Sequence, residues 1–126
     1  MTIRGITLDT GALVAIERRK QRGNQLVALA RQRLAVLSVP VPVIAEWWRG
    51  RTDVRERILD ILNVEPLSLM VAKAAGEAQA HVPRATAVDA IVMAFAASRG
   101  DVVFTGDTDD LDRLRAFFPS VRVLGC

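Results

Sequence analysis

Tyrosine is absent from this chain of 126 residues, and histidine and cysteine occur once each, as His81 and Cys126. A single cysteine cannot form an intramolecular disulfide, so stability has to come from a packed core and the composition suits a reducing compartment. Zinc chemistry is short of imidazole and thiolate ligands for the same reason. No apolar run approaches the ~18 residues of a membrane span. The first residues also lack the basic-then-apolar pattern of a signal peptide. A cytoplasmic protein without a membrane anchor is expected. Lysine supplies only two of the 17 basic residues, so the positive charge is almost entirely guanidinium.

What is present is apolar bulk. Hydrophobic residues make up 51% of the chain, which rules out a disordered tail and allows one core of ordinary size. No internal repeat, low-complexity tract or linker interrupts it, so residues 1–126 read as a single domain. Short apolar, β-branched runs at 3–8, 35–39, 63–67, 102–104 and 121–124 predict strands. Helical spacing predicts helices over 10–20, 24–34, 42–49, 52–62, 68–80, 86–99 and 109–117, with Gly23 and Asn24 breaking the pattern between the first two. Pro66 places the strand at 63–67 on an edge. Alternation of the two element types predicts an α/β fold: a mostly parallel sheet of about five strands, sandwiched between helices in three layers.

The stretch Ile6-Thr7-Leu8-Asp9-Thr10-Gly11 organises the rest. A strand delivers Asp9 at its carboxyl end and the chain then turns into a helix, the place where α/β proteins bind ligands. Asp9 also has a plainer use as a helix cap. Asp107 follows the strand at 102–104 and reaches the same edge if that strand is parallel. Glu46 lies in the helix that leaves the strand at 35–39. Asp89 begins the helix 86–99, which runs antiparallel to the strand it feeds. Four carboxylates therefore share one rim, which helix capping alone does not require. Each has an ordinary alternative: a solvated helix carboxylate for Glu46, a helix-dipole partner for Asp89 and an Asx turn for Asp107.

Carboxylates that converge repel one another unless a proton or a cation neutralises them. Oxygen ligands select Mg²⁺ or Mn²⁺. Such a site can activate water and neutralise the leaving oxygen of a phosphodiester. Thr10 and Thr105, beside the acids, are candidates to orient them. Setting the four acids aside leaves 17 basic residues against ten acidic ones, a balance that favours a polyanion.

Leu8-Asp9-Thr10, Val43-Ile44-Ala45-Glu46, Val88-Asp89-Ala90 and Thr105-Gly106-Asp107-Thr108-Asp109-Asp110-Leu111 together resemble the motifs of PIN-domain proteins, in order and over nearly the whole chain. Among these the chain is most similar to the VapC toxins of bacterial toxin–antitoxin pairs. The resemblance implies a Mg²⁺- or Mn²⁺-dependent endoribonuclease, a homodimer, and inhibition by a cognate VapB-like antitoxin. It implies Asp9, Glu46, Asp89 and Asp107 as the catalytic and metal-binding acids, with Asp110 as a further ligand. Leu111 stands where the family commonly has an aromatic residue. The alternative is a catalytically silent PIN-like domain that only binds RNA or an antitoxin. A phosphoacceptor receiver domain is disfavoured, because only one acid follows the first strand and no lysine occurs after Lys73. A haloacid-dehalogenase-like phosphatase is disfavoured because Gly11 stands where a second Asp is needed.

Arg18, Arg19, Lys20 and Arg22, and again Arg49, Arg51, Arg55 and Arg57, form two basic clusters. The first four with Arg49 and Arg51 are the candidates for contacting RNA; a solvated helix face is the plainer reading. Trp47 and Trp48, adjacent on a helix, cannot both enter one core, which leaves one for an interface. Met70 and Met93 read as core filler.

Overall fold

The computed structural model describes residues 3–126. In chain order the elements are β1 (Arg4–Leu8), α1 (Thr10–Glu17), α2 (Gln21–Arg31), β2 (Ala35–Pro40), α3 (Val41–Trp47), α4 (Asp53–Ile61), β3 (Leu62–Glu65), α5 (Leu69–His81), α6 (Ala87–Arg99), β4 (Val102–Thr105), α7 (Thr108–Leu114) and β5 (Val123–Gly125). The strands form one sheet in the order β3-β2-β1-β4-β5, and every pairing is parallel. Parallel strands need helical crossovers, and the alternating pattern supplies them. Helices α1, α2 and α4 pack together as one layer and α5 with α6 as another, giving the expected α/β/α sandwich.

Strand β1 lies at the centre, buried from Ile6 to Leu8, and β3 is an edge with Pro66 just past its end. Helix α6 contributes more buried residues than any other helix, six of its 13; Gly100 closes it in the left-handed conformation at φ 70°. None of the helices among the described residues is long and apolar enough to cross a membrane.

Two expectations change. Gly23 and Asn24 do not break a helix; they lie inside α2, which starts at Gln21. The glycine is there for packing, since a Cβ at Gly23 would sit 2.8 Å from the Ala15 carbonyl oxygen on α1. Met93 is fully buried, but Met70 is 73% exposed, because α5 turns Val71, Ala75 and Ala78 to the core instead.

One face of the sheet carries a polar row among apolar neighbours. Thr7, Ser38 and Asn63 are paired across β1, β2 and β3. The Thr7 hydroxyl donates to Asp101 Oδ2 (2.9 Å), Arg99 Nε donates to the same oxygen (3.2 Å), and Arg99 Nη2 and Asn63 Nδ2 both donate to Ser38 Oγ (3.1 Å each). No buried side-chain polar atom among the described residues lacks a partner. The row ties the end of α6 to β1, β2 and β3.

Candidate active site

Asp9 leaves β1 at the carboxyl edge of the sheet and is only 8% exposed. Its Oδ1 accepts from the Ala12 N–H (2.8 Å), which makes it the N-cap of α1, and from the Gly106 N–H (3.3 Å). Its Oδ2 accepts from the Thr105 hydroxyl. The plain and the functional readings of Asp9 are thus compatible: capping aims the carboxylate across to the end of β4. The turns after β1 and β4 touch through two glycines. A Cβ on Gly11 would lie 2.7 Å from the Gly106 Cα, and one on Gly106 would lie 2.8 Å from the Gly11 Cα.

Burial pushes the Asp9 carboxyl above its usual value, and the charge of Glu46 adds to the rise; the Thr105 hydroxyl and the Ala12 and Gly106 amides oppose it. Asp89, in the first turn of α6, is raised as well. Burial is again the main cause, the Thr86 hydroxyl opposes it, and the charges of Asp110, Asp9 and Glu46 add to it. The charge of Glu46 thus reaches both Asp9 and Asp89, and those of Asp9 and Asp110 reach Asp89. Glu46 is exposed on α3 and accepts from the Thr10 hydroxyl at 2.6 Å. Asp110 accepts from Arg113 Nη2 at 2.7 Å.

Asp107 is the N-cap of α7, its Oδ1 accepting from the amides of Asp109 (3.0 Å) and Asp110 (3.4 Å), while its own N–H donates to the Thr105 hydroxyl oxygen (3.0 Å), the group that in turn donates to Asp9. Of the adjacent pair Asp109 and Asp110, it is Asp110 whose charge is felt at Asp89. Thr10 and Thr105 each hold an acid. In the sequence only the i,i+3 spacing of Asp110 and Arg113 points to this pair.

As the side chains stand, no three His, Cys, Asp or Glu groups among the described residues are gathered closely enough to hold a metal ion. The donor chemistry nevertheless fits a hard divalent cation. All the groups are carboxylates, and Asp9 and Asp89 are raised by burial and by neighbouring negative charge, which a cation would relieve.

The basic residues divide. Lys20 and Arg22 line a cavity with Cys126, and Arg22 lies over the Phe104 ring at 5.9 Å. Burial, then the charge of Asp9, pushes the Cys126 thiol to about 11, while Arg22 and Lys20 pull the other way. Arg18 and Arg49 line a cleft with Glu46 and Thr10. Arg19 lies elsewhere, facing a cavity between α1, α2 and α4. Arg51 is spent on Asp53 (3.2 Å) and Glu56 (3.9 Å). Trp47 is 2% exposed, its Nε1 donating to Glu17 at 2.9 Å, and Trp48 is half-buried beside it.

The family model described as "PIN domain" matches residues 6–116. This chain belongs to the PIN-domain family. Among solved structures it is similar to VapBC2 from Rickettsia felis bound to a promoter DNA fragment, at 16% identity and TM-score 0.76, covering 97% of this chain and 98% of that one. DNA-bound VapBC from Salmonella typhimurium is similar at 20% identity and TM-score 0.71, covering 98% of each chain. FitAcB from Neisseria gonorrhoeae is similar at 19% identity and TM-score 0.61, covering 94% and 96%. No curated protein matches the sequence. In this PIN domain the carboxyl edge of the sheet is the candidate active site.

Proposed function

We propose that this PIN-domain protein is a Mg²⁺- or Mn²⁺-dependent endoribonuclease and the toxin of a type II toxin–antitoxin pair. The observation that carries the reading is the set of mutually repelling carboxylates at one sheet edge, in a chain of this family. Asp9, Glu46 and Asp89 would hold the cation, with Asp110 and Asp107 reached from α7. When bound, the cation supplies charge neutralisation and activation of water at an RNA phosphodiester. Thr105 and the Gly106 amide fix Asp9, and Thr10 fixes Glu46, so the acids approach the phosphate from set positions. A carboxylate left without the cation orients the attacking water. The toxin role, a cognate antitoxin partner and a homodimer follow the resemblance to VapC proteins, and structures similar in fold bear the VapBC and FitAB names.

One observation favours a second reading, a PIN domain that binds RNA or an antitoxin without cutting. The acids are already engaged, Glu46 by Thr10, Asp110 by Arg113 and Asp107 by the start of α7, and no chelating triplet is formed. Incubation of a mixed small-RNA pool with Mg²⁺, Mn²⁺ or EDTA, with Asp89→Asn as control, decides between them. Cleavage in metal, lost in EDTA and in the variant, is expected. RNA binding with no cleavage in either metal favours the silent domain, and cleavage surviving both EDTA and the substitution defeats the carboxylate assignment.

A further inference from the structure

An endonuclease of this design faces an electrostatic problem. The phosphates flanking the cut bond must lie beside a negatively charged rim, so unpaired cations are needed within one backbone repeat of it. On the α3 side of the rim a cleft of about 270 Å³ opens directly from the Thr10–Glu46 hydrogen bond. Three arginines, Arg18, Arg49 and Arg55, and two acids, Glu17 and Glu46, line it.

These charges are not equivalent. Glu17 receives the Trp47 indole N–H (2.9 Å) and both Nε (3.3 Å) and Nη2 (3.2 Å) of Arg55. Arg55 Nη1 also donates to the Gly50 carbonyl at 2.8 Å. That frame pins the segment after α3, which bends at Gly50 with φ 122°, onto the end of α1. It leaves Arg55 no free charge. Arg18 and Arg49 are exposed and take part in no ion pair among the described residues. Arg18 ends α1 and Arg49 begins the pinned segment, so two separate elements present them to one cleft.

We propose that Arg18 and Arg49 form a subsite for one RNA backbone phosphate next to the phosphate that is cut, with Glu17, Trp47 and Arg55 as its positioning frame. The inference rests on the RNA-cleaving reading of the rim. Paired guanidiniums suit a phosphate because each offers parallel N–H donors at fixed spacing. The cleft has room for a phosphate and its sugar, not for a folded element. A protein partner has no need to place an anion just beyond Glu46, whereas an RNA strand cut at Asp9 cannot avoid doing so.

The test uses Arg18→Gln, Arg49→Gln and the double variant, with Arg122→Gln, at the opposite edge of the sheet, as control. Circular dichroism melts check that each folds. Cleavage of the small-RNA pool gives apparent KM and kcat. Anisotropy of a fluorescein-labelled mixed-sequence single-stranded RNA in EDTA gives affinity across a salt series. Each substitution is expected to raise KM roughly three- to tenfold with kcat little changed, and to flatten the salt slope by about 0.7. Arg122→Gln should move none of these. Unchanged KM and slope in the double variant overturn the subsite, as does a loss confined to kcat. Intact RNA binding with lost affinity for a polyglutamate peptide overturns it in favour of an acidic protein. Wild-type protein that neither binds nor cuts RNA defeats the enzymatic reading itself, an outcome distinct from these.

Discussion

Gly11 and Gly106 meet back to back, so that a Cβ on either would fall within 2.8 Å of the other's Cα. Their contact joins the turn that bears Asp9 to the turn that leads to Asp107. Gly11→Ala or Gly106→Ala must push the two turns apart, at a cost of about 1–3 kcal/mol. Denaturant melts should show this loss. Because the shift also draws the Gly106 amide from Asp9, metal-dependent cleavage should fall further than stability does.

Thr105→Val removes the hydroxyl that donates to Asp9 while keeping a branched side chain. Hydrogen bonding to the charged form lowers a carboxyl pKa, so its loss should raise that of Asp9 further. A carbon-detected NMR titration of the Asp9 carboxyl reads the change directly. An Asp9 midpoint equal to that of the wild type would argue that the hydroxyl contributes nothing.

Asp89 gives a pH dependence with a definite sign. Unfolded, it ionises near the usual 3.8; folded, burial and the charges of Asp110, Asp9 and Glu46 hold its proton to higher pH. Between those two values the folded state binds more protons than the unfolded one, so stability falls as pH rises. Asp9 acts in the same direction. Asp89→Asn should therefore raise the metal-free melting temperature near neutral pH, and the advantage should disappear below about pH 4. A variant no more stable than wild type at neutral pH contradicts the shift.

Metal removal supplies a separate check. Mn²⁺ or Mg²⁺ should raise the melting temperature of wild-type protein, since binding to the folded state alone stabilises it. EDTA should reverse the effect. Asp9→Asn should keep the fold but lose both the metal-induced shift and cleavage, and retained cleavage at an unchanged unfolding midpoint would remove Asp9 from the site.

Arg99→Gln tests the polar row across the sheet. It strips Asp101, 8% exposed, of its cation and Ser38 of a donor. About 1–3 kcal/mol should be lost, since hydrogen bonds to buried charged groups are costly to leave unmade. Urea melts measure it.

The layers and strand directions were legible because apolar runs and helical spacing alternate without ambiguity. That alternation is also enough to bring Asp9, Glu46 and Asp89 to one rim. Tertiary packing hid the rest. Gly23 looks like a helix breaker until the closeness of Ala15 is known, and Met70 looks like core until α5 is rotated. Asp107 reads as an Asx-turn residue or as a ligand, and the structure has it capping α7. The polar row is not legible in sequence, because Thr7, Ser38, Asn63 and Asp101 lie far apart and each is ordinary alone. The separation of Arg18 and Arg49 from Arg51 and Arg55 depends on which acids stand nearby, and spacing does not encode that.

The central place of β1 has a consequence for biosynthesis. Its two neighbours are β2 and β4, and β4 begins only at Val102. Asp9 is thus made well before Thr105 and Gly106, its partners across the sheet, 96 and 97 residues further on. Such non-local pairing is slow, since a long loop must close before the contact rewards it. A chain that stalls before β4 holds the Asp9 carboxylate by the Ala12 amide alone. The rim is therefore assembled only after β4 has been made, however fast the earlier helices form.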